Sequence, residues 1–385
     1  MRHLAFASAL AAALLVPATP LIAQQPASGG PYKVLQRARV GGEGGWDYIY
    51  AGPDGRLYIP RGASEAVAAT DSTPAQPAAA ERVMVYNLRT LAPVGEIPNV
   101  GGHGVAVDPK SGHGFVSGPK VTMFDTKTLK VLKEIDVGDA RSDGIMFDSY
   151  KARVYIFSHP THNATVIDAK TGDVVGTIDL GGTPEEGIAD GKGTLYDIMQ
   201  DANGSVAVAN VNTMKTVKHY PLGGPGRCNG LALDAEHDVL FAACAASGPM
   251  VQGEPPKAVM VVLSARDGKI LDRIPLPGGS DGAVFNPATQ EAFATLGNGY
   301  LAVVKENSPT SFTLEQTLPT MNGARTITLD PTSNHIFTMS FERGPAPPPP
   351  PPGSDTGRGR GGRGGFYGRM GRPIPGSFTI LEIGR

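Results

Sequence analysis

Seven copies of one short phrase recur along the chain, and few folds can use a sevenfold repeat of roughly forty residues. Each copy opens on a polar residue and runs, usually through glycine, into a small or apolar strand. Examples are His103-Gly104-Val105-Ala106-Val107, Asp143-Gly144-Ile145-Met146-Phe147 and Asn229-Gly230-Leu231-Ala232-Leu233. The opening positions are Asp47, His103, Asp143, Glu186, Asn229, Asp281 and Arg325. If the repeats are arranged radially, these side chains form one ring around one axis.

The rest of each repeat supports the count. About a dozen residues after the ring position comes an aromatic in a second strand: Tyr58, Phe115, Tyr155, Tyr196, Phe241, Phe293 and Phe337, spaced by 57, 40, 41, 45, 52 and 44 residues. These spacings suit four-stranded propeller blades. A third strand ends in an Asp or Asn turn, at Asn87, Asp125, Asp168 and Asn210, whose side chains can accept bonds from the backbone just ahead. A fourth strand, such as Val131–Val137 or Val174–Leu180, alternates with the period of a strand. The last repeat has only three strands, and Tyr32–Val40 reads as the missing fourth. The expected fold is therefore all-β, a seven-bladed β-propeller of antiparallel blades whose N-terminal strand closes the last blade and limits exposed edges.

The segments Gly102–Pro109 and Asn163–Gly182 resemble YVTN repeats, and the whole is similar to YncE-like seven-bladed propellers. The resemblance implies the fold. It implies no activity, because the family is defined by its repeat and repeats are scaffold.

Met1-Arg-His, an apolar run from Leu4 to Val16 and Pro17–Ala23 read as a secretory signal peptide over residues 1–23. Residues 24–385 are then one propeller domain, exported to a periplasm or the extracellular space. No later segment approaches the roughly 18 apolar residues of a membrane span. With a formal charge of −2, no global field steers nucleic acid. A monomer is expected. The only two cysteines, Cys228 and Cys244, fall in facing strands of the fifth repeat. They form a disulfide in an oxidising compartment or simply pack as two small buried residues.

Three loops exceed the rest: Gly62 to Ala80, Ser247 to Pro256, and Arg343 to Gly376. All join second to third strands, which places them on the face where the first strands begin, around the polar ring. The last holds a proline run and then an Arg/Gly-rich stretch with Phe366 and Tyr367, with five arginines and one aspartate between Gly344 and Gly376. That composition suits a disordered loop or, as a lower alternative, a clamp for a polyanion or single-stranded nucleic acid.

The ring positions carry the functional expectation. Asp47, Asp143, Glu186, Asp281 and the Asn229 amide are hard oxygen ligands suited to Ca²⁺ or Mg²⁺, and His103 can serve as ligand or base. Arg325, with Arg141 and Arg227 close by in sequence, could instead neutralise the acids in a hydrated mouth. His159 and His162 are three residues apart and could share a metal. Trp46, the only tryptophan, could stack a ligand at the mouth or pack between blades. No Gly-x-Ser-x-Gly elbow, phosphate loop or Cys-x-x-Cys-His site is present. The leading expectation is an exported binding or scaffold protein of the cell envelope, holding a small ligand or protein partner at the mouth. The alternative is a lactonase-like, metal-dependent hydrolase in which Asp143, Glu186, Asn229 and Asp281 hold the cation.

Overall fold

The computed structural model describes residues 29–70, 74–138, 141–201, 204–224, 226–247, 257–345 and 371–385. The expected leader, 248–256 of the fifth-blade insertion and 346–370 of the Arg/Gly-rich insertion lie outside them. The described residues form twenty-eight strands and no helix. They make seven four-stranded antiparallel sheets.

Blade 1 contains β2 (Tyr50–Ala51), β3 (Arg56–Arg61), β4 (Arg82–Asn87) and β5 (Pro93–Pro98). Blade 2 holds β6 to β9 (Val105–Ile135), blade 3 holds β10 (Ser142–Asp148), β11 (Arg153–Ser158), β12 and β13 (ending at Asp179), and blade 4 holds β14 (Pro184–Ala189), β15 (Thr194–Met199), β16 and β17 (ending at Pro221). Blade 5 holds β18 (Gly226–Asp234), β19 (Val239–Ser247), β20 and β21 (ending at Pro275), and blade 6 holds β22 and β23 (from Ser280), β24 (Tyr300–Ser308) and β25 (ending at Pro319). Blade 7 contains β26 (Ile327–Asp330), β27 (His335–Ser340) and β28 (Thr379–Gly384), and β1 (Lys33–Arg39) pairs antiparallel with β28 to complete it. The expected closure is therefore present, and the first and last strands of the described residues share one sheet.

The core is divided among the seams. Seven apolar clusters bridge the seven pairs of adjacent blades, such as Tyr58, Val85, Val105 and Phe124 between blades 1 and 2. Each second-strand aromatic of the repeat is at most 5 % exposed. Burying one such ring stabilises by roughly 1.5–3 kcal/mol, so a recurring aromatic is the residue that makes each seam adhere. The third-strand turns form as their sequence suggests. Asp125 Oδ1 accepts the backbone N–H groups of Lys127 and Thr128 at 3.1 and 2.7 Å, and Asn87, Asp168 and Asn210 repeat the pattern.

Cys228 and Cys244 face each other in the β18/β19 register and form a disulfide, with Cα atoms 3.8 Å apart. Among the described residues, no helix is long and apolar enough to cross a membrane.

Candidate functional site at the channel mouth

The inner strands begin where the chain enters each blade from the ring face, so residues just before or at the start of each inner strand are delivered to the axis. Side-chain contacts there close into a circuit. His103 Nδ1 lies 2.7 Å from Asp47 Oδ2 and 3.2 Å from Asp143 Oδ1. The other oxygen of Asp143 is 3.4 Å from His159 Nε2, which is itself 2.8 Å from Glu185 Oε2. Asn229 Nδ2 donates to Asp281 Oδ1 at 2.6 Å and faces Glu185 Oε1 at 3.5 Å. Arg325 then donates to Asp281 at 2.9 Å and pairs with Asp47 at 3.0 Å, returning to the start.

Six of the seven predicted ring residues thus meet around the axis: Asp47, His103, Asp143, Asn229, Asp281 and Arg325. The fourth blade differs. Glu185, not Glu186, makes the ring contacts, because the strand sits one residue out of the register its glycine suggests. In β10/β11 the pairs Ser142↔Ser158 and Ile145↔Ile156 bracket Asp143, and in β14/β15 Pro184↔Met199 and Gly187↔Asp197 bracket Glu185 in the same way. Glu186 therefore occupies the place that Gly144 holds in blade 3. A one-residue slip of this kind redirects every side chain. Gly187 follows because a Cβ there would come within 2.1 Å of the Phe157 ring, so this glycine answers to the seam with blade 3.

Freed from the ring, Glu186 uses its carboxylate on strand backbone. Its Oε2 accepts the Leu231 N–H at 2.9 Å, and the Ala283 N–H also bonds to it. Burial pushes its pKa up to about 8, with these backbone bonds acting against the shift and the charges of Glu185 and Asp281 adding to it. Burial also raises the pKa of Glu185, opposed by the His159 hydrogen bond. Asp197 is fully buried behind Glu185, whose backbone N–H it accepts at 3.3 Å, and burial holds its pKa well above the carboxylate range. Tyr48 completes this layer: its hydroxyl reaches the Glu185 carbonyl at 3.4 Å, and burial with the surrounding carboxylates raises its pKa.

A raised folded-state pKa has a definite sign. A glutamate with an unfolded pKa near 4.3 and a folded value of about 8 favours the folded state fully below the unfolded value. That contribution is lost as pH climbs through the folded value. Without added cations, the denaturant midpoint of the protein should fall between pH 5 and pH 8. Glu186→Gln, which stays neutral, should flatten the fall by on the order of 2–4 kcal/mol. Equal slopes for wild type and variant in chelator would contradict this assignment.

The remaining candidate residues differ in whether they reach the ring. His159 joins the circuit, whereas His162 is exposed in the adjoining turn at a φ of 55° and does not share its contacts. Arg227 donates to Gln200 at 3.2 Å, Arg141 is exposed, and Arg325 pairs with the ring acids Asp47 and Asp281. Trp46 packs between blades 1 and 7, with ring centroids 5.2 and 5.4 Å from Phe341 and Phe378. It also helps line a cavity of about 330 Å³ with Arg325, Phe341 and insertion residues Ser64, Gln76, Arg343 and Pro373. The insertions of blades 1 and 7 do meet beside the ring.

Chemically, the circuit has two halves. Asp281 and Asp47 both pair with Arg325, which offsets one of their two charges. On the other side, Asp143 presents one oxygen to each of two histidines, and each histidine lies between two carboxylates, giving the sets Asp47/His103/Asp143 and Asp143/His159/Glu185. Ligand atoms on one zinc with bonds of about 2.0–2.1 Å are roughly 3.3 Å apart. The contacts here run from 2.7 to 3.4 Å, so a small movement outward would admit a cation. The buried Asn229 Oδ1 has no hydrogen-bond partner among the described residues.

Seven four-stranded blades with a polar circuit at the mouth define a seven-bladed β-propeller. No family model and no curated protein matches the chain. Solved structures do. Hydrazine synthase of Kuenenia stuttgartiensis is similar at 16% identity and a TM-score of 0.63, over 76% of this chain and 92% of that one. The WD40 repeats of RRP9 align at 11% identity and a TM-score of 0.64, over 94% and 99% of the two chains, and U3-55K at 10% and 0.63, over 92% and 99%. At such identities the likeness is one of fold.

Proposed function

We propose that this protein is an exported binding protein, a YVTN-repeat propeller of the YncE-like kind, whose channel mouth takes up a divalent cation and through it a small ligand. The observation that carries the reading is Asp143 placed between His103 and His159, each of which has a second carboxylate on its far side. Two imidazoles among carboxylates favour Zn²⁺ or Mn²⁺ over the Ca²⁺ or Mg²⁺ that oxygen ligands alone would suit. Asp47 adjoins Trp46, so a ligand reaching the cation can lay its body against Trp46 and Phe341 in the neighbouring cavity. The leader and the disulfide support export.

The hydrolase alternative has less support in the form built on Asp143, Glu186, Asn229 and Asp281. Glu186 is engaged by backbone donors, Asn229 and Asp281 are tied to each other, and Asp281 is also tied to Arg325. The test of the binding reading is a thermal melt of the metal-free protein with Zn²⁺, Mn²⁺, Ca²⁺ or Mg²⁺ added. A cation held only by the folded state at 100 times its Kd stabilises by about 2.7 kcal/mol. The expected result is a rise with Zn²⁺ or Mn²⁺ that chelator reverses and that is steeper at pH 8 than at pH 6, because the ligands must lose protons. A midpoint unmoved by all four cations would refute the reading.

A further inference from the structure

The face opposite the ring carries a second constellation that the channel mouth does not use. The β18–β19 turn of blade 5 contributes Asp234 and His237, and β24, the third strand of blade 6, contributes Glu306. Asp234 closes the turn in the usual way, its Oδ1 accepting the Glu236 N–H at 2.9 Å. That bond leaves Oδ2 facing the seam, 2.6 Å from His237 Nδ1. Glu306 Oε1 is 3.4 Å from the same nitrogen, and one ligand atom from each residue lies within 4.8 Å of the other two.

Glu306 is the feature that a turn does not explain. Its side chain is 1 % exposed and points across the seam at another carboxylate, and apart from a proton shared with Asp234 neither of its oxygens has a hydrogen-bond partner among the described residues. A buried carboxylate without a donor is costly, and placing it beside Asp234 adds repulsion, felt as a pKa raised to about 7 by burial first and Asp234 second. One neighbouring imidazole answers two carboxylates, with Lys305 engaged on the Thr289 carbonyl. His237 is one-third exposed, which gives an ion a route in and leaves water room to complete its coordination.

We propose that Asp234, His237 and Glu306 form a divalent-cation site of the zinc class that pins blade 5 to blade 6 on the face opposite the ring. One imidazole nitrogen and two carboxylate oxygens are ligands zinc accepts, and the 3.4 Å separation of His237 Nδ1 from Glu306 Oε1 is close to the roughly 3.3 Å expected across a tetrahedral zinc. The 2.6 Å contact must open to reach it.

The test is zinc stoichiometry, by calorimetry and elemental analysis, on metal-stripped full-length mature protein and on the variants Glu306→Gln and His237→Ala. Both leave Asp143 and the ring untouched, so the result does not depend on what the mouth binds. Glu306→Gln is expected to fold, since its amide can donate to Asp234. The expected result is one zinc equivalent fewer in each variant than in wild type. Equal stoichiometry and affinity in all three proteins would overturn the proposal, as would a wild type that binds no zinc, which would leave the cluster as a proton-sharing carboxylate pair.

Discussion

Asp143→Ala should weaken divalent-cation uptake at the channel mouth on the order of 100-fold, whereas Asp281→Asn should weaken it by less than about tenfold. Both remove one negative charge from the same circuit. They differ in what the carboxylate touches. Asp143 offers an oxygen to each histidine, so its loss removes a ligand from both candidate sets. Asp281 is held by Arg325 and Asn229, and its charge reaches a cation only through long-range attraction, worth about 1 kcal/mol at an effective dielectric between protein surface and water. Calorimetric titration with Zn²⁺ or Mn²⁺ would separate the two. Equal losses would mean that the mouth attracts cations as a diffuse field without a defined ligand set.

The second large effect is predicted at Arg61, which is completely buried, with Glu43 as the neighbouring acid. It ends β3 at the seam where the ring of blades closes. Its Nη2 donates to the carbonyls of Gly42 and Gly44 at 2.9 and 2.8 Å, and its guanidinium lies 3.8 Å from the Phe378 ring centroid. One side chain therefore ties the segment entering blade 1 to the closing strands of blade 7. Burial, and then the charge of Arg82, lowers its pKa to about 10, which leaves it charged at neutral pH. Arg61→Ala should cost about 3–5 kcal/mol, through the cavity and two carbonyls left without a donor. Arg61→Met, which keeps the volume and removes a buried charge, should cost roughly half of that or less. Denaturant unfolding would check both; an alanine variant within about 0.5 kcal/mol of wild type would show that the seam is held by the aromatics alone.

The blades were legible because each repeats one solution to one problem. An aromatic must fill every seam, a polar side chain must hold every outer turn, and a small residue must stand where inner strands crowd, so the pattern is written several times over. Register within a blade is written once. Glu185-Glu186-Gly187 offers two carboxylates before a glycine, and alignment on the glycine picks Glu186. The fold aligns blade 4 on the paired bulge and places Glu185 at the axis. Asp197 was readable in principle, since a charge inside the strand Thr194–Met199 interrupts an otherwise apolar stretch. His159 belongs to a loop between second and third strands, and only the curvature of the ring brings it opposite Glu185. The cluster of Asp234, His237 and Glu306 spans two blades and some seventy residues of sequence, a distance over which no local pattern connects a turn to a strand.

The most direct test of the central claim is a crystal structure of the protein grown with Mn²⁺, with anomalous scattering collected to locate the ion. An anomalous peak is expected beside the Asp143 carboxylate, between it and His103 or His159, with coordinating oxygen and nitrogen atoms at about 2.0–2.3 Å. A ring still closed by direct contacts between those histidines and carboxylates, with no peak among them, would contradict it.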